Sequence, residues 1–275
     1  MTFRGKVAVI TGAGSGIGAA LCAELASCGA RIVAADLDGR AAAGVCAAIR
    51  IRGGDATPAT LDVTSAGAVA ELAAEVDSLE PIDIWINNAG IAIAGEAHAL
   101  ELADWRRVLD VNLNGVIHGV HAVYPRMVAR RSGHIVNIAS VSGLAPYPLV
   151  LPYVTSKHAV VGLSQALRAE AAAHGVRVSV ACPGMIRTPI WERSEVRGAL
   201  AAGRQDLLGR VAAMMTAEQC AHAIARGVAA NRGIIPVTIE AHVAWRLNRL
   251  SPALTSMVSR QLARLARALA HRRQA

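Results

Sequence analysis

Tyr153 is followed four residues later by Lys157. Of the 28 lysines and arginines in the chain, only Lys6 and Lys157 are lysines. Arginine is used wherever else a positive charge is wanted, so a lysine one helical turn after a tyrosine points to a task a planar guanidinium does not perform. An ammonium beside a phenol favours the phenolate and lowers its pKa from about 10. That would make Tyr153 an acid/base group usable near neutral pH. A Tyr-x-x-x-Lys pair is also an ordinary feature of an amphipathic helix start, so the pair needs company before it carries a chemical reading.

The company begins at the N-terminus. Thr11-Gly12-Ala13-Gly14-Ser15-Gly16-Ile17-Gly18 joins an apolar run, Val7–Thr11, to a helical stretch. Glycines let the backbone turn sharply and approach a ligand closely. The helix start then offers free N–H groups and the positive end of a dipole to a pyrophosphate. Asp36 closes the next apolar run, about 20 residues further on, where a carboxylate accepts hydrogen bonds from a ribose diol and repels a 2′-phosphate. That favours NAD over NADP. A turn or N-cap aspartate is the alternative. Arg40 lies on the following helix.

Short β-rich runs alternate with alanine-rich helical stretches along the chain. Strands are expected at Val7–Thr11, Arg31–Asp36, a third ending at Leu61-Asp62-Val63, Ile82–Asn87, His134–Ile138, Arg177–Ala181 and Ile234–Ile239. Long helices are expected from about Asp104 to Arg130 and from Tyr153 to about His174. This rhythm implies a Rossmann-type, doubly wound parallel sheet of about seven strands, with helices on both faces. One domain is expected over 1–240, with an extension at 241–275.

Together these residues resemble the short-chain dehydrogenase/reductase family over about residues 5 to 190. Thr11, Gly12, Gly16 and Gly18 match its glycine motif, and Asn87-Asn88-Ala89-Gly90 stands after the fourth strand. Asp62-Val63 matches the pair that flanks the adenine, and Asn112 stands where the family has an active-site asparagine. Ser140 lies thirteen residues before Tyr153. Pro183-Gly184 with Ile186 and Thr188 matches the segment that holds the nicotinamide amide. The resemblance implies that Tyr153 exchanges a proton with the substrate oxygen and that Lys157 lowers the tyrosine pKa and bonds the nicotinamide ribose. Ser140 would stabilise charge on the substrate oxygen. Asn112 would hold a water at a local break in its helix. The cofactor-binding set is then Gly12, Ser15, Gly16, Ile17, Gly18, Asp36, Asp62, Val63, Asn88, Tyr153, Lys157, Pro183, Gly184, Ile186 and Thr188. Ser140 and Ser142 are equally eligible by type alone, and Asn87, Asn88 and Asp62 are also turn or cap formers. A mobile lid is implied at about 188–215. Leu144, Pro146, Tyr147, Met185, Ile186, Ile190 and Trp191 are candidates for the pocket or for plain core.

Composition bounds the rest. Hydrophobic residues make up 53% of 275 residues and aromatics only 3%, so the core is aliphatic. The formal charge of +8 is a property of the C-terminal segment. After Glu240 there is no acidic residue, while Arg246, Arg249, Arg260, Arg264, Arg267, Arg272 and Arg273 follow; without these seven, 21 basic residues face 20 acidic ones. This argues against a nucleic-acid-binding body. Leu254, Val258, Leu262, Leu265 and Leu269 share a helical stripe, with Arg260, Arg264, Arg267 and His271 on the opposite side. Such a basic amphipathic helix can lie on an anionic membrane, on the body, or on a second subunit. Five scattered cysteines without metal spacing read as free thiols in a reducing compartment. His118 and His121 have no third partner, so no metal is expected. No run reads as a membrane span.

The expectation is an NAD-dependent, cytoplasmic oxidoreductase. It would interconvert a secondary alcohol and a ketone on a hydrophobic small molecule and form a homodimer or homotetramer. A peripheral membrane contact through the C-terminal helix stays open. The alternatives are an NADP-dependent carbonyl reductase and a dinucleotide-binding regulator without turnover.

Overall fold

The structure is a computed structural model. It describes residues 1–198 and 214–271, apart from the side chains of Trp191 and of residues 269–271. In chain order its elements begin β1 (Val7–Thr11), α1 (Gly16–Ser27), β2 (Arg31–Asp36), α2 (Gly39–Ile51), β3 (Asp55–Thr60), α3 (Ala66–Leu79) and β4 (Ile84–Asn87). A short β5 (Ile93–Ala94) precedes α4 (Leu102–Leu109), a π-helical turn (Asp110–Asn114) and α5 (Gly115–Ala129). Then come β6 (His134–Ile138), α6 (Leu151–Ala172), β7 (Arg177–Cys182), β8 (Ile186–Arg187), α7 (Ile190–Arg193) and β9 (Glu195–Val196). The chain continues through β10 (Met215–Thr216), α8 (Ala217–Ala229), β11 (Ile234–Pro236), α9 (Ile239–Leu250) and α10 (Pro252–His271).

Seven strands form one parallel sheet in the order β11-β7-β6-β4-β1-β2-β3. The alternation of side chains assigns each strand residue to one face. Ala8, Ile10, Ile32, Ala34, Ile84, Ile86, Val136 and Ile138 enter one core with Leu21 and Leu25 of α1 and Ile224 of α8. Val7, Val9, Val33, Ala35, Trp85 and Ile135 enter the other with Val69 and Val76 of α3 and Val123 and Met127 of α5. Helices on both faces are therefore required to keep these runs dry. The strand order reverses between β1 and β4, where open α/β sheets place their ligands.

Several boundaries differ from the sequence expectation. β3 stops at Thr60 instead of running to Val63, because Asp62 Oδ1 accepts from both the Thr64 amide (2.9 Å) and hydroxyl (2.7 Å) and turns the chain towards α3. β11 stops at Pro236, which has no N–H for a ladder. Thr238 then caps α9 by accepting from the Ala241 amide at 3.3 Å, so Ile239 starts a helix instead of ending a strand. Of the expected lid at 188–215, residues 199–213 lie outside the described residues. Its stem is tied down, with β9 pairing with β5 and Arg197 donating to Asp104 at 2.7 Å.

The sheet interior also carries polar groups, all paired. Trp85 Nε1 donates to Asn87 Oδ1 (2.7 Å), Asn87 to Asn137 (2.8 Å) and Asn137 to Ser164 (2.9 Å). His134 is buried at the start of β6 and bonds Ser179 Oγ at 2.8 Å. Burial, reinforced by the guanidinium groups of Arg177 and Arg168, pushes its pKa from 6.5 down to about 3. The folded chain thus keeps it neutral where the unfolded chain protonates it, and unfolding takes up a proton between those two values. Stability should fall as pH drops from about 6.5 to 3, with this residue contributing a slope of at most ~1.4 kcal/mol per pH unit. Denaturant unfolding of wild type and His134→Gln across this window checks it, the variant showing the shallower loss.

Candidate active site

β1 ends in Thr11 because the next residue must have a left-handed backbone: Gly12 has φ +63°. A Cβ on Gly12 would stand 2.7 Å from Ala89 Cα, and one on Gly18 only 2.1 Å from the Gly12 carbonyl oxygen. The loop is held from the neighbouring strand. Asn88 follows β4, and its Nδ2 donates to the carbonyls of Thr11 (2.9 Å) and Gly12 (3.0 Å). Thr11 Oγ1 in turn accepts from the amides of Asn88 and Ala89. Asn88 thus acts first as a brace across the switch point, a role its type and position alone do not specify. Ser15 is the N-cap of α1, yet its side chain makes no capping bond, and no acidic residue stands in the first turn. The helix presents unsatisfied N–H groups and an uncompensated positive end, which fits a pyrophosphate. Ile17 is half-buried against the core below.

Asp36 does two local jobs. Its Oδ2 accepts from the Gly14 amide at 2.7 Å and its Oδ1 from the Asp38 amide at 2.9 Å. The turn reading and the ligand reading therefore coexist, since a carboxylate has further acceptor sites. Asp38, unflagged in the sequence, caps α2 by accepting from the amides of Arg40 and Ala41. Asp62 is exposed, with one oxygen used by Thr64. Val63 is buried against Gly115, and its carbonyl bonds His118 Nδ1 at 2.9 Å, which gives this histidine a structural use.

The reactive group lies where β6 and α6 meet. Pro152 in the first turn of α6 sets the helix start, placing Tyr153 and Lys157 one turn apart. Lys157 is buried and its Nζ donates to the Ile138 carbonyl at 2.9 Å. It lies 5.5 Å from the centroid of the Tyr153 ring. Burial lowers its pKa from 10.5 to about 8. Tyr153 departs from the sequence expectation. Its pKa is raised above 10, because burial outweighs the hydrogen bond with the Ser140 hydroxyl that pulls the other way. The ammonium sits against the ring and donates a hydrogen bond to a carbonyl, so the expected lowering by Lys157 is not realised in this state. Ser140 is the serine that reaches the phenol. It also accepts from the Ser142 amide at 3.1 Å, so the turn role and the site role fall on the same residue. The Cys182 thiol is buried beside Lys157 and pushed up to about 12 by that burial.

Asn112 lies in the π-helical turn, a local break in the helix of the kind expected at this position. Its Oδ1 accepts from the Ile91 amide (2.8 Å), while its Nδ2 donates to the Ile91 carbonyl (2.9 Å) and to Ser156 Oγ (3.2 Å). Asn112 and Lys157 converge at Gly90, where an added Cβ would lie 3.4 Å from Asn112 Oδ1 and 3.6 Å from Lys157 Nζ. On the other side, the Pro183 carbonyl accepts from the Val141 amide at 2.7 Å, and Thr188 packs on Gly16. A Cβ on Gly184 would collide with Thr238 and Glu240, and Glu240 accepts from the Met185 amide at 3.1 Å. Thr238 and Glu240 are thus supports that the sequence reading missed; only the N-cap position of Thr238 could have signalled one of them. Leu144 and Ile186 are buried in the core. Tyr147 and Ile190 remain half-buried, and Met185 is exposed.

A tyrosine and a buried lysine at the start of α6, met by a serine from the end of β6 and set across from a braced glycine loop, define a class of protein, and comparison with known families agrees. Residues 6–197 match the family model of short chain dehydrogenases. The chain belongs to the short-chain dehydrogenase family. It is 36% identical over 258 residues to the oxidoreductase SadH of Mycobacterium tuberculosis, covering 90% of this chain and 92% of that one. It is also 36% identical over 259 residues to the oxidoreductase EphD of the same organism, but spans only 44% of that protein's length. Cyclohexanol dehydrogenase of an Acinetobacter species is 39% identical over 194 residues, 68% of this chain and 76% of that enzyme. Among solved structures, a short-chain dehydrogenase/reductase from Burkholderia phymatum in complex with NAD superposes with a TM-score of 0.83 at 32% identity, covering 92% of this chain and 96% of that one. One from Sphingobium yanoikuyae in complex with NADPH gives 0.77 at 28% identity, covering 92% and 95%.

The glycine loop yields a direct check. Gly18→Ala should cost about 2 kcal/mol or more, since backbone must move to admit the methyl. Gly44→Ala, in α2 with nothing within 4 Å of the new Cβ, should instead stabilise by about 0.5–1 kcal/mol. Thermal melting of the two variants distinguishes them by sign.

Proposed function

We propose that the chain is an NAD(H)-dependent oxidoreductase that interconverts a secondary alcohol and a ketone on a hydrophobic small molecule. The observation that carries the reading is the junction of Tyr153, Ser140 and buried Lys157 beside the glycine-loop crevice. In this reading Gly12, Ser15, Gly16, Ile17 and Gly18 hold the pyrophosphate and Asp36 the adenosine ribose. Asp62 and Val63 flank the adenine. Asn88, Pro183, Gly184, Ile186 and Thr188 line the nicotinamide side, with Tyr153 and Lys157 at its ribose. When bound, the dinucleotide supplies the hydride exchange.

The chain's own residues manage a proton. With its pKa raised, Tyr153 rests as the neutral phenol and can give its Oη proton to a carbonyl oxygen. Ser140 donates to that oxygen as charge develops on it. Lys157 holds the ring side of the phenol, and Asn112 fixes the π-helical turn against Ile91 and Ser156. Alcohol oxidation needs the phenolate, so its rate should rise with pH, while ketone reduction should fade as pH climbs towards the phenol's raised pKa. Tyr153→Phe should lower kcat by about 10²–10⁴-fold in either direction. A panel of secondary alcohols and ketones measures this; equal turnover in the variant would defeat the catalytic role of Tyr153, and no turnover by either form would favour the regulator.

The NAD preference rests on Asp36, with Asp38 two residues on and half-exposed surroundings in which a 2′-phosphate would meet two carboxylates. Arg40 and the NADPH-bound relative from Sphingobium yanoikuyae favour the second reading, an NADP-dependent carbonyl reductase. Fluorescence titration should show NADH binding about tenfold or more tighter than NADPH, a margin of ~1.4 kcal/mol. Tighter NADPH binding reverses the assignment. A cyclohexanol-type alcohol is a reasonable first substrate, given the relative named for it.

A further inference from the structure

The C-terminal helix does not bury the stripe that the sequence offers as its apolar face. α10 turns a different face to the body, made of Thr255, Ser259, Ala263 and Ala266. Ser259 Oγ donates to the Pro146 carbonyl at 2.6 Å, and Arg267 pairs with Glu96 at 2.9 Å. From the preceding helix, Asn248 donates to the Leu144 carbonyl at 3.0 Å. Leu254, Met257, Val258, Leu262 and Leu265 are left between 41% and 62% exposed. Arg260 and Arg264 are exposed too, and among the described residues neither forms an ion pair. At 3.6 residues per turn these are three sectors about 120° apart: one on the body, one apolar, one basic. The apolar sector has enough contiguous large side chains to need a partner.

We propose that α10 docks the protein on an anionic lipid surface. The apolar sector would enter the boundary between headgroups and acyl chains, with Arg260 and Arg264 on the lipid phosphates beside it. Charge decides against the other obvious occupant, a second copy of the same helix. No acidic residue follows Glu240, whereas seven arginines do. Two such helices paired about a twofold axis would oppose arginine to arginine, with no carboxylate of their own to compensate. Anionic headgroups supply the missing charge over the whole basic sector. Among the described residues no helix is long and apolar enough to cross a membrane, so the contact is one of lying on the surface. Because α10 and α9 also clasp the segment between Ser140 and Tyr153 through Pro146 and Leu144, docking would set that segment close to the bilayer.

Flotation of the full chain with vesicles tests this, using phosphatidylcholine alone and phosphatidylcholine with phosphatidylglycerol. The expected result is flotation with the anionic vesicles only, lost at high salt. Arg260→Gln/Arg264→Gln should weaken the partition roughly 30-fold. Leu254→Gln/Leu262→Gln/Leu265→Gln should abolish it, and both variants should melt like wild type, since all five side chains are exposed. Absence of flotation, or flotation unchanged in the leucine variant, overturns the proposal. So does light scattering that shows a dimer in wild type and a monomer in the leucine variant, which would give the stripe to a second copy.

Discussion

An ammonium buried beneath an aromatic ring is costly, and much of this molecule is arranged around keeping it there. Lys157 donates a hydrogen bond to the Ile138 carbonyl at the end of β6 and faces the Tyr153 ring one turn earlier on α6. Desolvation brings its pKa down to about 8 and raises that of the phenol. For this pair to meet, the end of β6 must lie directly against the start of α6. Gly143 permits that approach, since a Cβ there would fall 2.5 Å from the Lys157 carbonyl oxygen. Ser140 reaches the phenol from the same strand end, and the buried Asn87–Asn137–Ser164 chain locks β4, β6 and α6 into register below.

The same economy governs the phosphate loop. Glycines at 12, 16 and 18 leave no side chains to hold the turn, so the neighbouring strand holds it instead through Asn88 and Thr11. Asp36 steadies it from the far side through the Gly14 amide. The loop is thereby preorganised without occupying the N–H groups of α1. The C-terminal helices provide the equivalent support at the other end of the sheet, through Thr238, Glu240 and Asn248.

Much of the fold was legible because buried parallel strands must be apolar and helices between them alanine-rich; the seven-stranded sheet and most strand positions follow from that alone. The Tyr153–Lys157 pair and the glycine loop were legible because spacing encodes them. What spacing does not encode is solvent exclusion. The sequence placed an ammonium near a phenol and read a lowered pKa, whereas burial of both groups reverses the sign for Tyr153. Nor does periodicity say which face of α10 meets the body. The leucine stripe is the better hydrophobic face, but the small side chains of Thr255, Ser259 and Ala263 allow closer approach and a hydrogen bond from Ser259 to the Pro146 carbonyl.

The protonation of one hydroxyl decides the resting state of the site. Ultraviolet difference titration of the chain without dinucleotide, wild type minus Tyr153→Phe, reports that group alone. The phenol should stay protonated through neutral pH and ionise only above the ordinary tyrosine value of about 10. A phenolate appearing well below that value would show that the lysine's charge, and not burial, sets the resting state of the site.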